Sequence, residues 1–297
     1  MSELRKLVAD ELTTSVDPRV TAIAAAIAAK HGAASRAVLF YGSCLREREL
    51  DGLMLDFYLI VSDYRAAYSK RWLATANRLI PPNVFYFEHD GLASKYAVLS
   101  EADFARECDL SARTSSVFAR FAQPSRLVWA ADQRARDRAI DAVSRAVPGL
   151  LGLTRPSMSD AEAADVLAIW KKAFRFTYDA EIRAERNSRP ELIVDADPER
   201  YRRFAEAVGF PEPRGYSDDQ RRTSEEAWRQ FQRRGKRASV LRLAKASLTF
   251  ANGADYIAWK INRHAGTDIR LTPWQQRHPL LAAITLLPKL IRSGAVR

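Results

Sequence analysis

Apolar runs rich in β-branched and aromatic residues fall at 37–41 (AVLFY), 54–61 (MLDFYLIV), 83–87 (NVFYF), 95–99 (KYAVL) and 126–129 (RLVW), and strand signals then vanish. That distribution confines a sheet to the first half of the chain. Helical stretches interleave with the runs: "DPRVTAIAAAIAAKHG" (17–32), then 63–80 and roughly 101–120. The interleaving predicts a mixed α/β domain. From about 131, "DQRARDRAIDAVSRAV", "SDAEAADVLAIWKKAFRFTYDAEIRAE" and "ERYRRFAEAVGF" read as a helical region, with the polar Pro/Gly-containing stretch 209–222 as a linker. The expected class is α+β, with a mixed α/β domain over 1–135, a helical middle domain over 136–222 and a basic amphipathic region over 223–297.

The second apolar run carries one carboxylate, Asp56, between Leu55 and Phe57. A charge inside a strand is costly unless a partner compensates it. The preceding run ends in Gly42-Ser43, and a strand, a Gly-Ser pair and a second strand bearing an acid form the layout of nucleotidyltransferases. Glycine lets the backbone approach a triphosphate, and the serine hydroxyl with nearby N–H groups binds phosphate oxygens. The aspartate holds Mg²⁺. The bland alternative is an ordinary turn and an aspartate at a strand end. The usual second acid, two residues on, is Tyr58 here. Asp51 is a candidate loop ligand, Glu88 and Asp90 are further candidate ligands, and Asp63 suits a helix N-cap.

Charge narrows the partners. The chain carries a formal +11, yet from Arg221 onward there are 16 Lys/Arg against 4 Asp/Glu, so the basicity belongs to the last quarter. A polyanionic surface, lipid or nucleic acid, is the expected contact. Cys44 and Cys108 lie far apart with no CxxC, and the histidines form no HxH or HExxH. These spacings argue against a disulfide framework and a zinc site. The N-terminus "MSELRKLVADELTT" does not read as a secretory signal, and no run reaches the length of a spanning helix.

In "RRGKRASVLRLAKASLTFANGADYIAWKINRHAG", helical periodicity gathers Val240, Leu243, Ala244, Ser247, Phe250, Ala251, Ala254, Ile257, Ala258 and Ile261 on one face. Arg242, Lys245, Lys260 and Arg263 fall opposite. Two readings stand: a helix packed on the domain with a solvated basic face, or an interfacial helix whose cations meet anionic headgroups.

Beyond that window, "YGSCLRE…LMLDFYLIVSDY" resembles the "YGSGV…MLDFhhhVDD" of the mitochondrial phosphatidate cytidylyltransferases, the translocator assembly and maintenance proteins, which also lack the second acid. "NVFYFEHDGLASKYAVLS" is similar to their "GVYYN…DGxxhKYGVhS", "SVFARFAQPSRLV" to "YhAGRLxKPVKI", and "FRFTYDAEIR" to "LSYSGDhR". "RASVLRLAKASLTFANGADYIAWKI" resembles "RxSShxQxhKGhFTAGhxxSIxYhhxK". Five blocks in one order span most of residues 38–261.

The resemblance implies a nucleotidyltransferase-like N-terminal domain, a winged-helix-like middle domain and a membrane-contacting C-terminal helix. It implies CTP and phosphatidic acid as substrates, CDP-diacylglycerol and pyrophosphate as products, and Mg²⁺ as cofactor. Carried over, Gly42, Ser43 and Lys95 bind the CTP phosphates, Asp56 holds the metal, and Asp56, Lys95 and Arg120 are catalytic. Tyr178, Glu181, Arg183 and Lys245 line the cleft or meet the lipid. Cys44, Ala97, Phe118, Ala119 and Glu181 depart from the family residues and put the lipid acceptor in doubt. The expected place is a bacterial cytoplasm, peripheral on the inner face of an anionic membrane, with no stable nucleic-acid partner. The rival readings are a nucleotidyltransferase with another acceptor and a catalytically degenerate basic binding module.

Overall fold

A computed structural model describes residues 2–47, 49–181, 190–210, 215–249 and 272. Five strands, β1 (Ser35–Tyr41), β2 (Met54–Val61), β3 (Asn83–His89), β4 (Leu92–Ser100) and β5 (Ser125–Ala130), form one sheet in the order β3-β4-β2-β1-β5. β2 and β4 run parallel, and the other neighbours are antiparallel. Each run expected from sequence lies in its own strand.

The period-two alternation of β2 divides the molecule. Leu55, Phe57, Leu59 and Val61 enter one core with Ile23, Ile27, Tyr64 and Tyr68. Helices α2 (Pro18–His31), α3 (Tyr64–Ala67) and α4 (Arg71–Leu79) form this layer, whereas α1 (Glu3–Leu12) packs on the other side. Tyr58 and Ile60 enter the second core, which draws on residues from Leu4 to Phe231. Asp56 shares the parity of Tyr58 and Ile60, so it faces that second layer. Helices thus cover both faces of the sheet.

Asp17 caps α2 by accepting from the Arg19 amide at 2.8 Å, with Pro18 in the first turn. The helix expected over 63–80 breaks at Tyr68. That residue is extended (φ −124°, ψ 127°), and its ring packs against His31 and Phe85. The stretch 101–120 likewise divides, into α5 (Glu101–Glu107) and α6 (Ser116–Phe121). Between them lies a segment in which Cys108, Thr114 and Ser115 are buried.

The second half continues through α7 (Gln133–Val143), α8 (Ala146–Thr154), α9 (Val166–Asp179), α10 (Glu191–Asp195), α11 (Pro198–Glu206) and α12 (Asp218–Thr249). Among the described residues it holds no strand, so the β-hairpin of a winged helix is not among them. Leu150, Trp170, Phe174, Tyr201, Trp228 and Phe231 join the same core as Tyr58 and Leu99.

Two expectations about the tail are corrected. α12 begins at Asp218, inside the stretch 209–222 read as a linker. Its cations Arg242 and Lys245 point into the protein, while Val240 and Leu241 are 56% and 51% exposed. The cause lies in the Ile80–Pro82 turn. Pro81 and Pro82 supply no N–H groups, leaving carbonyls in need of donors. Arg242 Nε donates to Pro81 O at 2.7 Å, and Lys245 Nζ to Pro82 O at 2.7 Å and to Ile80 O. The rest of the expected amphipathic face, from Phe250 on, with Lys260 and Arg263, lies outside the described residues. Among the described residues no helix is long and apolar enough to cross a membrane.

Candidate active site

Tyr41, the last residue of β1, stands opposite Asp56 in the antiparallel register. The chain then turns through Gly42 at φ 98°, where a Cβ would sit 3.4 Å from Asp56 Oδ2. Glycine is therefore favoured by conformation, while the carboxylate lies at van der Waals distance from where a Cβ would stand. Ser43 follows, exposed, at the start of a short 3₁₀ turn, Ser43–Arg46.

On the other side of β2, Lys95 of β4 is the register partner of Asp56. Lys95 Nζ lies 3.1 Å from Asp56 Oδ1, with the side chains 26% and 22% exposed. The partner of the strand carboxylate in this structure is thus an ammonium group. The pair is open enough to meet a solute. Cys44 lies buried beside it, its Sγ donating to Met54 O at 3.5 Å, and burial followed by the Asp56 charge pushes the thiol pKa up. That thiol is no ready nucleophile.

A second charged group stands on the neighbouring helices. Arg120 Nη1 donates to Ser116 O at 2.6 Å and to Ser116 Oγ, and pairs with Glu181 Oε1 at 3.1 Å. Glu181 follows α9, its amide donating to Tyr178 O at 3.1 Å. Burial alone lowers the Arg120 pKa, but the Glu181 carboxylate leads the opposing influences and it ends well above its ordinary value.

The rings of Tyr41 and Tyr58 lie 5.2 Å apart, and Phe121 meets Tyr58 at 5.3 Å. Burial raises both phenol pKa values; for Tyr41 the charges of Asp56, Arg120 and Glu181 also act, so its hydroxyl sits within the field of both groups. Neither phenol is poised to act as a base near neutrality. Tyr58, at the second-acid position, is part of the packed aromatic group.

The structure therefore brings Gly42, Ser43, Asp56 and Lys95 together and sets Arg120, Glu181 and the end of α9 with Tyr178 nearby. Lys245 is instead engaged with the 80–82 turn; burial, then the charge of Arg242, lowers its pKa to about 7. Arg183 lies outside the described residues. Asp51 pairs with Arg19 at 3.1 Å, Asp63 caps α3 by accepting from Arg65 N at 2.7 Å, Glu88 accepts from the Tyr86 hydroxyl at 2.9 Å, and Asp90 lies 3.5 Å from His89. None of those four acids joins Asp56. One contact beside Arg120 was not read from the sequence: Arg242 donates to Thr114 Oγ1 at 3.2 Å, two residues before Ser116, which accepts from Arg120.

Among the described residues no three His, Cys, Asp or Glu side chains gather into a metal site. A resident magnesium site does not fit them. Asp56 would supply at most one carboxylate to a magnesium ion that other ligands hold. A groove of about 400 Å³, lined by Arg36, Glu101, Arg138 and Arg145 among others, opens at the opposite end of the strands from Asp56.

No family model matches the chain, and no curated protein matches it. Among solved structures, it is similar to a nucleotidyltransferase-like protein from Exiguobacterium sibiricum 255-15, at 12% identity and a TM-score of 0.27, over 92% of this chain and 90% of that one. A likeness at that score fixes neither fold nor activity.

Proposed function

We propose that this chain is a nucleotidyltransferase that moves the cytidylyl group of CTP onto the phosphate of phosphatidic acid at an anionic membrane surface. An acceptor phosphate oxygen attacks the α-phosphorus, the bond to the β-phosphate bridging oxygen breaks, and pyrophosphate leaves with CDP-diacylglycerol as product. The observation that carries the reading is the close set of Gly42 backbone, Asp56 and Lys95, an anion-receiving turn beside a carboxylate–ammonium pair at adjacent strand positions.

Each residue has a defined part. Gly42 lets the chain approach a triphosphate without side-chain bulk, and the exposed Ser43 hydroxyl donates to a phosphate oxygen. Lys95 neutralises charge as the pyrophosphate departs. Asp56 positions the Mg·CTP complex; magnesium, when bound, screens the triphosphate charge. A phosphate monoester is already anionic, so no general base is demanded. Catalysis is then mostly placement and charge neutralisation.

The Asp56–Lys95 ion pair and the missing second acid favour one rival, a binding module that has kept the fold and lost the chemistry. Pyrophosphate release from CTP, with Mg²⁺ and vesicles containing phosphatidic acid, separates the two. Release that disappears in Asp56→Ala supports the enzyme. A silent wild type that still binds the vesicles supports the module.

A further inference from the structure

The proposed reaction needs two anions held at once, and the Gly42–Asp56–Lys95 set accounts for only one. The segment between α5 and α6 offers the other. Arg242, from α12, donates through Nη2 to Thr114 Oγ1 at 3.2 Å and through Nε to Pro81 O at 2.7 Å. Two residues beyond Thr114, Ser116 O takes Nη1 of Arg120 at 2.6 Å. Guanidinium groups from distant parts of the sequence are thus anchored at the two ends of one three-residue segment.

Three observations point to a ligand there. Among the described residues, Nε and Nη2 of Arg120 and Nη1 of Arg242 make no hydrogen bond. Ser115, between the two anchors and 1% exposed, has a hydroxyl with no partner among the described residues. Buried hydroxyls are normally satisfied, so this one is open to a water or to a bound anion. Finally, the charges of Arg120 and Glu181 both act on Arg242, and the Arg120 side chain is 29% exposed, so a solute can reach it.

We propose that Arg120, Arg242 and the Thr114–Ser116 segment form a second anion subsite that receives the phosphate monoester of the acceptor. The description of that ligand as an acceptor rests on the nucleotidyl-transfer reading; the subsite itself does not. Two guanidinium forks and a serine hydroxyl suit a tetrahedral dianion better than a carboxylate, because they present more donors than two oxygens can use. The Tyr41 phenol lies within the field of both Asp56 and Arg120, so the two sets stand near one side chain.

The test titrates the full chain calorimetrically with sn-glycerol 3-phosphate and, separately, with Mg·CTP. It also measures binding to phosphatidylcholine vesicles with and without phosphatidic acid. Arg242→Gln is expected to weaken the phosphate monoester about tenfold or more while leaving Mg·CTP affinity within about twofold. Arg242→Lys keeps the charge without the fork and recovers part of the loss, and Ser115→Ala produces a smaller one. Binding of the soluble ester shows a subsite for phosphate itself. Binding confined to phosphatidic acid vesicles, and lost in Arg242→Gln, assigns the subsite to a lipid headgroup. Phosphate binding that depends on Arg242 in a chain that ignores Mg·CTP keeps the subsite and removes the nucleotidyl reading. Equal affinities of wild type, Arg242→Gln and Ser115→Ala, or no phosphate binding in either form, overturn the proposal.

Discussion

Lys95 Nζ and Asp56 Oδ1 stand 3.1 Å apart on neighbouring parallel strands, each opposite the other in register. The pair sits at the open edge of the layer that the second core fills, so its side chains contribute little to packing. Asp56→Ala is expected to lower stability by about 1–2 kcal/mol, since the two side chains are only 26% and 22% exposed and the change removes a charge partner of Lys95. The same variant should slow pyrophosphate release at least about a hundredfold if Asp56 places the Mg·CTP complex. Parallel melting curves and initial rates check both halves; a large loss of stability would mean that the pair is structural.

Gly42→Ala tests the close passage. At φ 98° an alanine is strained by about 1–2 kcal/mol, and its Cβ would touch Asp56 Oδ2 at 3.4 Å. The expected result is a modest fall in denaturant midpoint with a larger fall in Mg·CTP affinity. Unaltered nucleotide binding would separate the turn from the phosphates.

Gly235 in α12 reverses a general rule. Glycine to alanine inside a helix ordinarily stabilises by about 1 kcal/mol. Here the new Cβ runs into the carbonyl oxygen of Ala180, just before Glu181. Backbone gives way poorly, so Gly235→Ala should lower the denaturant midpoint and loosen the seat of Arg242. Urea titration together with phosphate titration measures the two effects; a raised midpoint would show that α12 shifts freely.

Glu11 and Arg200 supply a comparison outside the Asp56–Lys95 pair. Arg200 Nη2 donates to Glu11 Oε1 at 2.9 Å, and Nη1 to Ala122 O at 3.1 Å, joining α1, α11 and the end of α6. The guanidinium is largely buried, so Glu11→Ala strands a charge and should cost about 3 kcal/mol. Chemical denaturation gives the number, and Mg·CTP affinity at a temperature where the variant is folded should be unchanged.

The docked tail carries a pH dependence. Burial, then the neighbouring Arg242, brings the Lys245 pKa down to about 7 from its ordinary 10.5. Between those values the unfolded chain binds a proton that the folded chain has released, so stability rises with pH across this window. Below about pH 7 both states are protonated and this contribution is flat. A neutral amine still has two N–H donors for Ile80 O and Pro82 O. The wild-type melting temperature should gain on Lys245→Met between pH 7 and 9, a difference that scanning calorimetry resolves. A pH-independent difference would leave the lysine charged in its seat.

What the sequence made legible follows from which forces act locally. The five strands could be read because each carries a nearly continuous apolar run, as burial on both faces demands; Val38, Phe57 and Val98 are completely buried. Gly42, Ser43 and Asp56 could be grouped because their pattern spans adjacent strands, whereas Lys95 came only from the resemblance and its pairing with Asp56 was not foreseen. The seat of α12 could not be read that way. Periodicity tells which residues share a face, but not which face turns inward, and the carbonyls that draw Arg242 and Lys245 inward lie about 160 residues earlier. The break at Tyr68 was equally hidden, since its cause is the packing of one ring against His31.

The second core has a consequence for how the protein is made. It draws on Leu4, near the beginning, and on Trp228 and Phe231, far along the chain. During synthesis the sheet and its first helical cover emerge early, while Tyr58, Phe118 and Phe121 must wait for α12 before their layer can close. A ribosome that stalls before residue 231 therefore releases a product with a wide apolar surface, a natural client for chaperones and proteases. Only the chain that has reached α12 can both hide that surface and bring Arg242 to the Thr114–Ser116 segment, so closure of this core and completion of the proposed site coincide.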